Sequence, residues 1–168
     1  MQKGSLNFCN ICLFIQEMGI AEEIKQKEFA NFAEKAIVNI SYTNSYFSGL
    51  INSALKEHKT SLQQFNVLRI LQGQNPKPVS VNEITKRMVD KMSNASRLVD
   101  KLCDKELVIR GACSYDKRQV DVSVTKHGQK TLKTLNAVVD EVILNHQKLS
   151  PLEFDTLNQL LDKLREKN

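Results

Sequence analysis

A chain of 168 residues and 19.1 kDa, 41% hydrophobic and 26% charged, is long enough for one domain with a real core and too short for two generous ones. No apolar run approaches the roughly 18 residues of a membrane span. Leu6–Ile15 is broken by Asn7, Asn10 and two cysteines and lacks a small-residue cleavage site, so no signal peptide is expected and the chain reads as cytoplasmic.

The net charge of +5 is unevenly placed. Pro76–Arg118 carries ten Lys/Arg against six Asp/Glu, whereas the segments before and after it hold excesses of one and zero. Localised positive charge is what a phosphate-binding surface requires, because each neutralised phosphate releases condensed counterions.

In chain order, residues 1–21 are expected to be a tail, with Met18 an alternative start. From Ile24 to His58 the spacing of Phe29, Ala33, Ile37, Ile40, Phe47, Leu50 and Leu55 predicts one long helix with an apolar stripe. A second helix follows through Leu62, Phe65, Leu68 and Leu71, stopping at Gly73 before Pro76-Lys77-Pro78. Ser80 and Glu83 stand in the capping-box relation and open a short helix with Val81, Ile84 and Met88. After a break at Val89–Met92, Ser93 is placed as the cap of a helix reaching about Lys105. Leu107–Cys113 and Gln119–Val124 flank the polar turn Ser114–Arg118, and the alternation Val120, Val122, Val124 reads as a hairpin strand. Thr125 precedes a helix with Leu132, Leu135 and Val139, and Ser150-Pro151-Leu152-Glu153 caps a last helix with Leu157, Leu160, Leu161 and Leu164.

Two helices joined by a tight break and followed by a hairpin give the order of a winged helix-turn-helix, and the positive excess falls on that segment. The expected fold is therefore mainly α with a small β-hairpin wing, the winged helix-turn-helix spanning about 61–124 and dimerisation helices at 24–58 and 126–166 within a domain of 22–168. The helix after Ser93 divides into an apolar face of Ala95, Leu98 and Leu102 and a polar face of Asn94, Arg97, Lys101 and Lys105. That division suits a recognition helix entering the major groove. Arg97 can pair with guanine O6 and N7 and Asn94 with adenine N6 and N7, Ser93 and Ser96 can reach bases or phosphates, and Lys101 suits a phosphate. In the turn, Lys117 and Arg118 can enter a narrow minor groove, with Asp116 orienting the Arg118 guanidinium. Read singly, each of these features also fits an ordinary exposed helix or polar turn.

Three stretches resemble the MarR family of bacterial regulators (multiple antibiotic resistance regulator): Ala95–Leu102, the wing Asp116-Lys117-Arg118, and Val122–Gly128 with its T-x-x-G. The likeness runs from about Glu22 to the end. It implies a homodimer in which the first helix and the last two intertwine, binding of double-stranded DNA at a pseudo-palindromic operator, and modulation of affinity by a small molecule or by oxidation. Where the family usually has glycine before the first wing strand, this chain has Glu106. If that position is left-handed, glutamate there costs roughly 1 kcal/mol.

Other residues point elsewhere. Cys9 and Cys12 form one C-x-x-C without a second ligand pair, which disfavours structural zinc and leaves a redox pair or an inert tail. Cys103 and Cys113 read as incidental in a reducing compartment. His58, His127 and His146 lack neighbours at ligand spacing, and no phosphate loop, nucleophile elbow or carboxylate pair suggests an enzyme; no metal or other cofactor is expected. Tyr42, Tyr46 and Phe65 are either core or the lining of a ligand cleft between the dimerisation helices and the DNA-binding lobe. The alternatives to a DNA-binding regulator under small-molecule control are a cysteine redox sensor and a winged-helix dimer that binds protein. The cations Arg97, Lys101 and Arg118 disfavour the protein-binding reading.

Overall fold

The computed structural model of the chain describes residues 19–112 and 120–166. Two compact units divide the chain at Tyr46 and Phe47. In the first, the four-residue helix α1 (Ile20–Glu23) is followed by a left-handed Lys25 and an irregular stretch before α2 (Phe32–Lys56), which continues into the second unit. The long first helix predicted from about Ile24 therefore begins eight residues later, a little over two turns. Asn31 caps it instead: the Glu34 amide donates to Asn31 Oδ1 at 2.9 Å, and Glu34 reaches back to accept from the Ala30 amide. Phe29 lies before this cap, and Ile20 and Ala21, the last two residues of the expected tail, belong to helix α1.

The second unit contains the core. After α2 come α3 (Leu62–Gln72), β1 (Val79–Ser80), α4 (Val81–Arg87), α5 (Ala95–Cys103), β2 (Val108–Ala112), β3 (Val120–Val124), α6 (Lys126–Asn145) and α7 (Pro151–Leu164). Ser61 and Gln64 form a full capping box on α3, and α4 begins at Ser80, whose Oγ accepts from the Glu83 amide at 3.2 Å. The wing is a three-stranded antiparallel sheet in the order β1-β3-β2, with Val79 opposite Val122 and Val108 opposite Val124. The sequence predicts only two of these strands, because the two-residue β1 shows no period to detect. Leu55, Leu68, Leu71, Ile84, Met88, Val99, Leu102, Val108, Val122 and Leu135 are fully buried together. This core takes one face from each of α3 to α6 and from the sheet, and it fixes α5 against α3, α4 and β2.

Helix α7 buries none of its residues; Leu152, Leu157, Leu160 and Leu164 are exposed, as are Ile143 and Leu144 at the end of α6. No described helix is long and apolar enough to cross a membrane.

Candidate nucleic-acid interface

Helix α5 is held by Ala95, Val99 and Leu102, all buried, with Leu98 packed at the margin of the core. Its N-cap is Asn94, whose Oδ1 accepts the Arg97 amide at 3.0 Å. Ser93, expected to be the cap, lies in the preceding turn, where its hydroxyl donates to Asp90 Oδ2 at 2.8 Å. Because Asn94 Oδ1 is committed to the cap, the amide NH2 is the part of Asn94 most available to a base edge. Arg97 is exposed near the start of the helix, and Lys101 is exposed one turn further on.

Ser96 is approached from the sheet. Arg110 on β2 donates to the Ser96 carbonyl at 3.3 Å and to its Oγ at 3.4 Å, and the same nitrogen lies 2.7 Å from Asp100 Oδ1. Local spacing gave no sign of this Asp100–Arg110–Ser96 clasp, since its members meet across the junction of helix and strand. It joins the first wing strand to the polar face of the helix.

Lys105, placed by its spacing on the cationic face, is turned inward beyond the helix end. Its ammonium donates to the Lys59 carbonyl at 2.6 Å and to Gln64 Oε1 at 3.0 Å. Partial burial, and then the nearby Lys101 charge, hold its pKa below the usual lysine range. Lys101, Lys105, Lys56 and Lys59 border an open cleft of about 410 Å³ beside α5.

The wing-tip residues Asp116, Lys117 and Arg118 lie outside the described residues, as do Cys9, Cys12 and Cys113. Cys103 is half-buried, and burial is the main cause that pushes its thiol pKa up, away from the reactive thiolate. No group of three metal-ligating side chains occurs among the described residues.

The three aromatics proposed for a cleft do not share a role. Phe65 is 3% exposed in the core of the second unit, with the Arg69 guanidinium 5.7 Å from its ring centre, and offers no surface to a ligand. Tyr42 and Tyr46 belong to the first unit, where with Glu23 and Thr43 they border a shallow cavity of about 350 Å³. The Tyr42 hydroxyl donates to Glu23 at 2.8 Å, which raises its pKa.

Residues 60–120 match the pattern that defines the MarR family. The chain is 30% identical over 118 residues to the uncharacterized HTH-type transcriptional regulator YpoP of Bacillus subtilis (strain 168), covering 70% of this chain and 82% of that protein. It is 27% identical over 139 residues to the HTH-type transcriptional regulator TcaR of Staphylococcus aureus (strain Newman), covering 81% of this chain and 88% of that one. Among solved structures, a mutant MarR from E. coli complexed with operator DNA superposes with a TM-score of 0.68 at 25% identity, over 76% of this chain and 91% of that one. A MarR-like transcription regulator from Bacillus cereus ATCC 10987 shares the fold with a TM-score of 0.70 at 21% identity, over 79% and 95% of the two chains.

Proposed function

The chain belongs to the MarR family of DNA-binding transcriptional regulators, and on that premise we propose that it binds a pseudo-palindromic duplex in the cytoplasm as a homodimer, with α5 in the major groove. The observation that carries this reading is the division of α5. Ala95, Val99 and Leu102 anchor one side in the core, while Arg97 and Lys101 stand exposed on the other. Arg97, at the leading end, has the donor fork for a guanine edge, and Lys101 and Ser96 lie where backbone contacts are expected. Lys117 and Arg118, oriented by Asp116, serve the minor groove. Dimerisation is supported by α7, which buries none of its leucines within its own chain and needs a second surface to cover them. A small molecule is the expected effector, and Tyr42 and Tyr46 are its nearest candidate contacts.

The test is a mobility shift with duplexes selected by the protein from a random pool, run with competitor DNA and a salt series, alongside mass determination by light scattering. A dimer whose affinity exceeds that for scrambled DNA and falls steeply with salt supports the reading. A monomer, or equal affinity for all duplexes, overturns it.

A further inference from the structure

We propose that Met92 is a specificity-determining residue that packs against the 5-methyl group of a thymine in the major groove. The inference rests on the reading that α5 enters that groove. Met92 is 93% exposed, among the most exposed large apolar side chains described, and it lies two residues ahead of the cap Asn94 at the leading end of α5.

The turn around it is tightly wound. Asp90 accepts the Met92 amide on Oδ1 at 3.0 Å and the Ser93 hydroxyl on Oδ2 at 2.8 Å, while the Asp90 carbonyl accepts the Ser93 amide at 3.2 Å. Upstream, the Val89 amide donates to Asn66 Oδ1 at 3.1 Å, tying the turn to α3. The hydrogen bonds from Ser93 and Met92 hold the Asp90 carboxyl below its usual pKa. The Met92 backbone is therefore fixed and its side chain is left in water.

The surroundings of that side chain are those of a DNA-facing surface. Arg97 and Lys101 follow on the exposed side of α5, cations suited to guanine edges or phosphates, while the Lys91 ammonium just before it donates to the Lys86 carbonyl. Among groups displayed in the major groove, the thymine methyl is the apolar one. An unbranched, polarisable thioether adapts its shape to such a group without demanding a fixed angle. Hydrogen-bonding side chains at the same tip read the polar edges; Met92 supplies the one contact that they cannot make.

The experiment uses the full chain and a duplex that it selects from a random pool. Each thymine in turn is replaced by deoxyuridine, which removes the methyl group and leaves every hydrogen-bonding edge in place. Dissociation constants are measured for the wild type, Met92→Ala and Met92→Leu, with thermal unfolding run on each to establish that the exposed substitutions leave the fold intact. Wild-type protein should lose about fourfold in affinity at one thymine per half-site, the equivalent of one buried methyl-sized group. Met92→Ala should be insensitive at that thymine, and Met92→Leu should keep most of the sensitivity. If uracil costs wild type and Met92→Ala the same everywhere, Met92 does not read thymine and faces something other than DNA. A pool that yields no enriched sequence overturns the major-groove reading and this inference with it.

Discussion

The Arg110 guanidinium on β2 lies 2.7 Å from the Asp100 carboxylate on α5 and also donates to the Ser96 carbonyl one helical turn earlier. The side chains of Arg110 and Asp100 are 34% and 59% exposed, so as an ion pair they contribute at most about 1 kcal/mol to stability. Their consequence is geometric, because they tie α5 to the strand that follows it. Asp100→Asn should shift the urea midpoint little. It should also remove a negative charge from the DNA-facing side, raising affinity for scrambled duplex while lowering the ratio of selected to scrambled binding. Mobility shifts on both duplexes measure that ratio; an unchanged ratio would mean that the clasp does not position the helix.

Between α5 and β2 the chain turns through Glu106, whose φ is 58°. The Glu106 amide donates to the Cys103 carbonyl at 2.8 Å and the Leu107 amide to the Leu102 carbonyl at 3.0 Å, the paired bonds of a Schellman helix end with the left-handed position at Glu106. Glycine takes that conformation without steric cost, whereas an L side chain costs roughly 1–2 kcal/mol, partly offset by glycine's greater freedom when unfolded. Glu106→Gly should therefore raise unfolding free energy by about 1 kcal/mol, with the urea midpoint rising at unchanged slope. Glu106→Val should lower it, since a β-branched residue tolerates positive φ poorly.

Gly128, on the first turn of α6, admits no side chain. A Cβ there would stand 2.0 Å from the Leu107 carbonyl oxygen and 2.9 Å from Val124 Cγ2. Thr125 explains the close approach. Its amide donates to that same Leu107 carbonyl at 3.0 Å, its hydroxyl donates to the Glu106 carbonyl at 2.8 Å, and its Oγ1 accepts the Gly128 amide at 2.8 Å. The helix start is thus drawn onto the strand that follows α5. Because the obstacle is backbone, Gly128→Ala should cost about 3 kcal/mol or more, read as a lower thermal midpoint or loss of soluble protein. Thr125→Val should cost about 1 kcal/mol through the lost cap.

These relationships mark how far the sequence could be read. The T-x-x-G stretch stood out as part of a family pattern, and its physical content is the Thr125 cap and the Gly128 contact. The glutamate where the family usually has glycine is visible in the sequence as a departure, and the left-handed backbone on which its cost depended is present. Helices α3 and α6 followed from apolar spacing and caps, because in them local preference and burial agree, whereas α7, which buries none of its residues, followed from its capping box and apolar spacing alone. The start of α2 was misread although Asn31 and Glu34 spell an N-x-x-E cap; the apolar stripe ran on past it to Phe29 and period outweighed cap. Ser93 and Asn94 are both good caps, and the choice fell to Asn94 because Asp90 engages Ser93. Strand β1, the inward turn of Lys105 and the Arg110 clasp depend on partners distant in sequence, which no local pattern encodes.

The three basic residues that shared one face on paper now separate into distinct predictions. Lys105 is bound to the Lys59 carbonyl and Gln64, so Lys105→Met should lower stability while leaving the salt slope of DNA binding unchanged. Lys101 is exposed a turn beyond the helix start, where a helix entering the groove end-on rises toward the phosphates. Lys101→Ala should weaken selected and scrambled duplexes alike and reduce the salt slope by about one ion. Arg97 extends from the first turn, which the Asn94 cap fixes through the Arg97 amide itself, so its backbone is held while its fork stays free to meet a guanine. Arg97→Ala should cost roughly 1–3 kcal/mol on the selected duplex and relax preference at one base pair per half-site, with a much smaller loss on scrambled DNA. Binding isotherms of all three variants on both duplexes, at two salt concentrations, separate the cases. Equal losses for Arg97→Ala on selected and scrambled DNA would make Arg97 a phosphate clamp and move base reading to the neighbouring Met92 and Asn94.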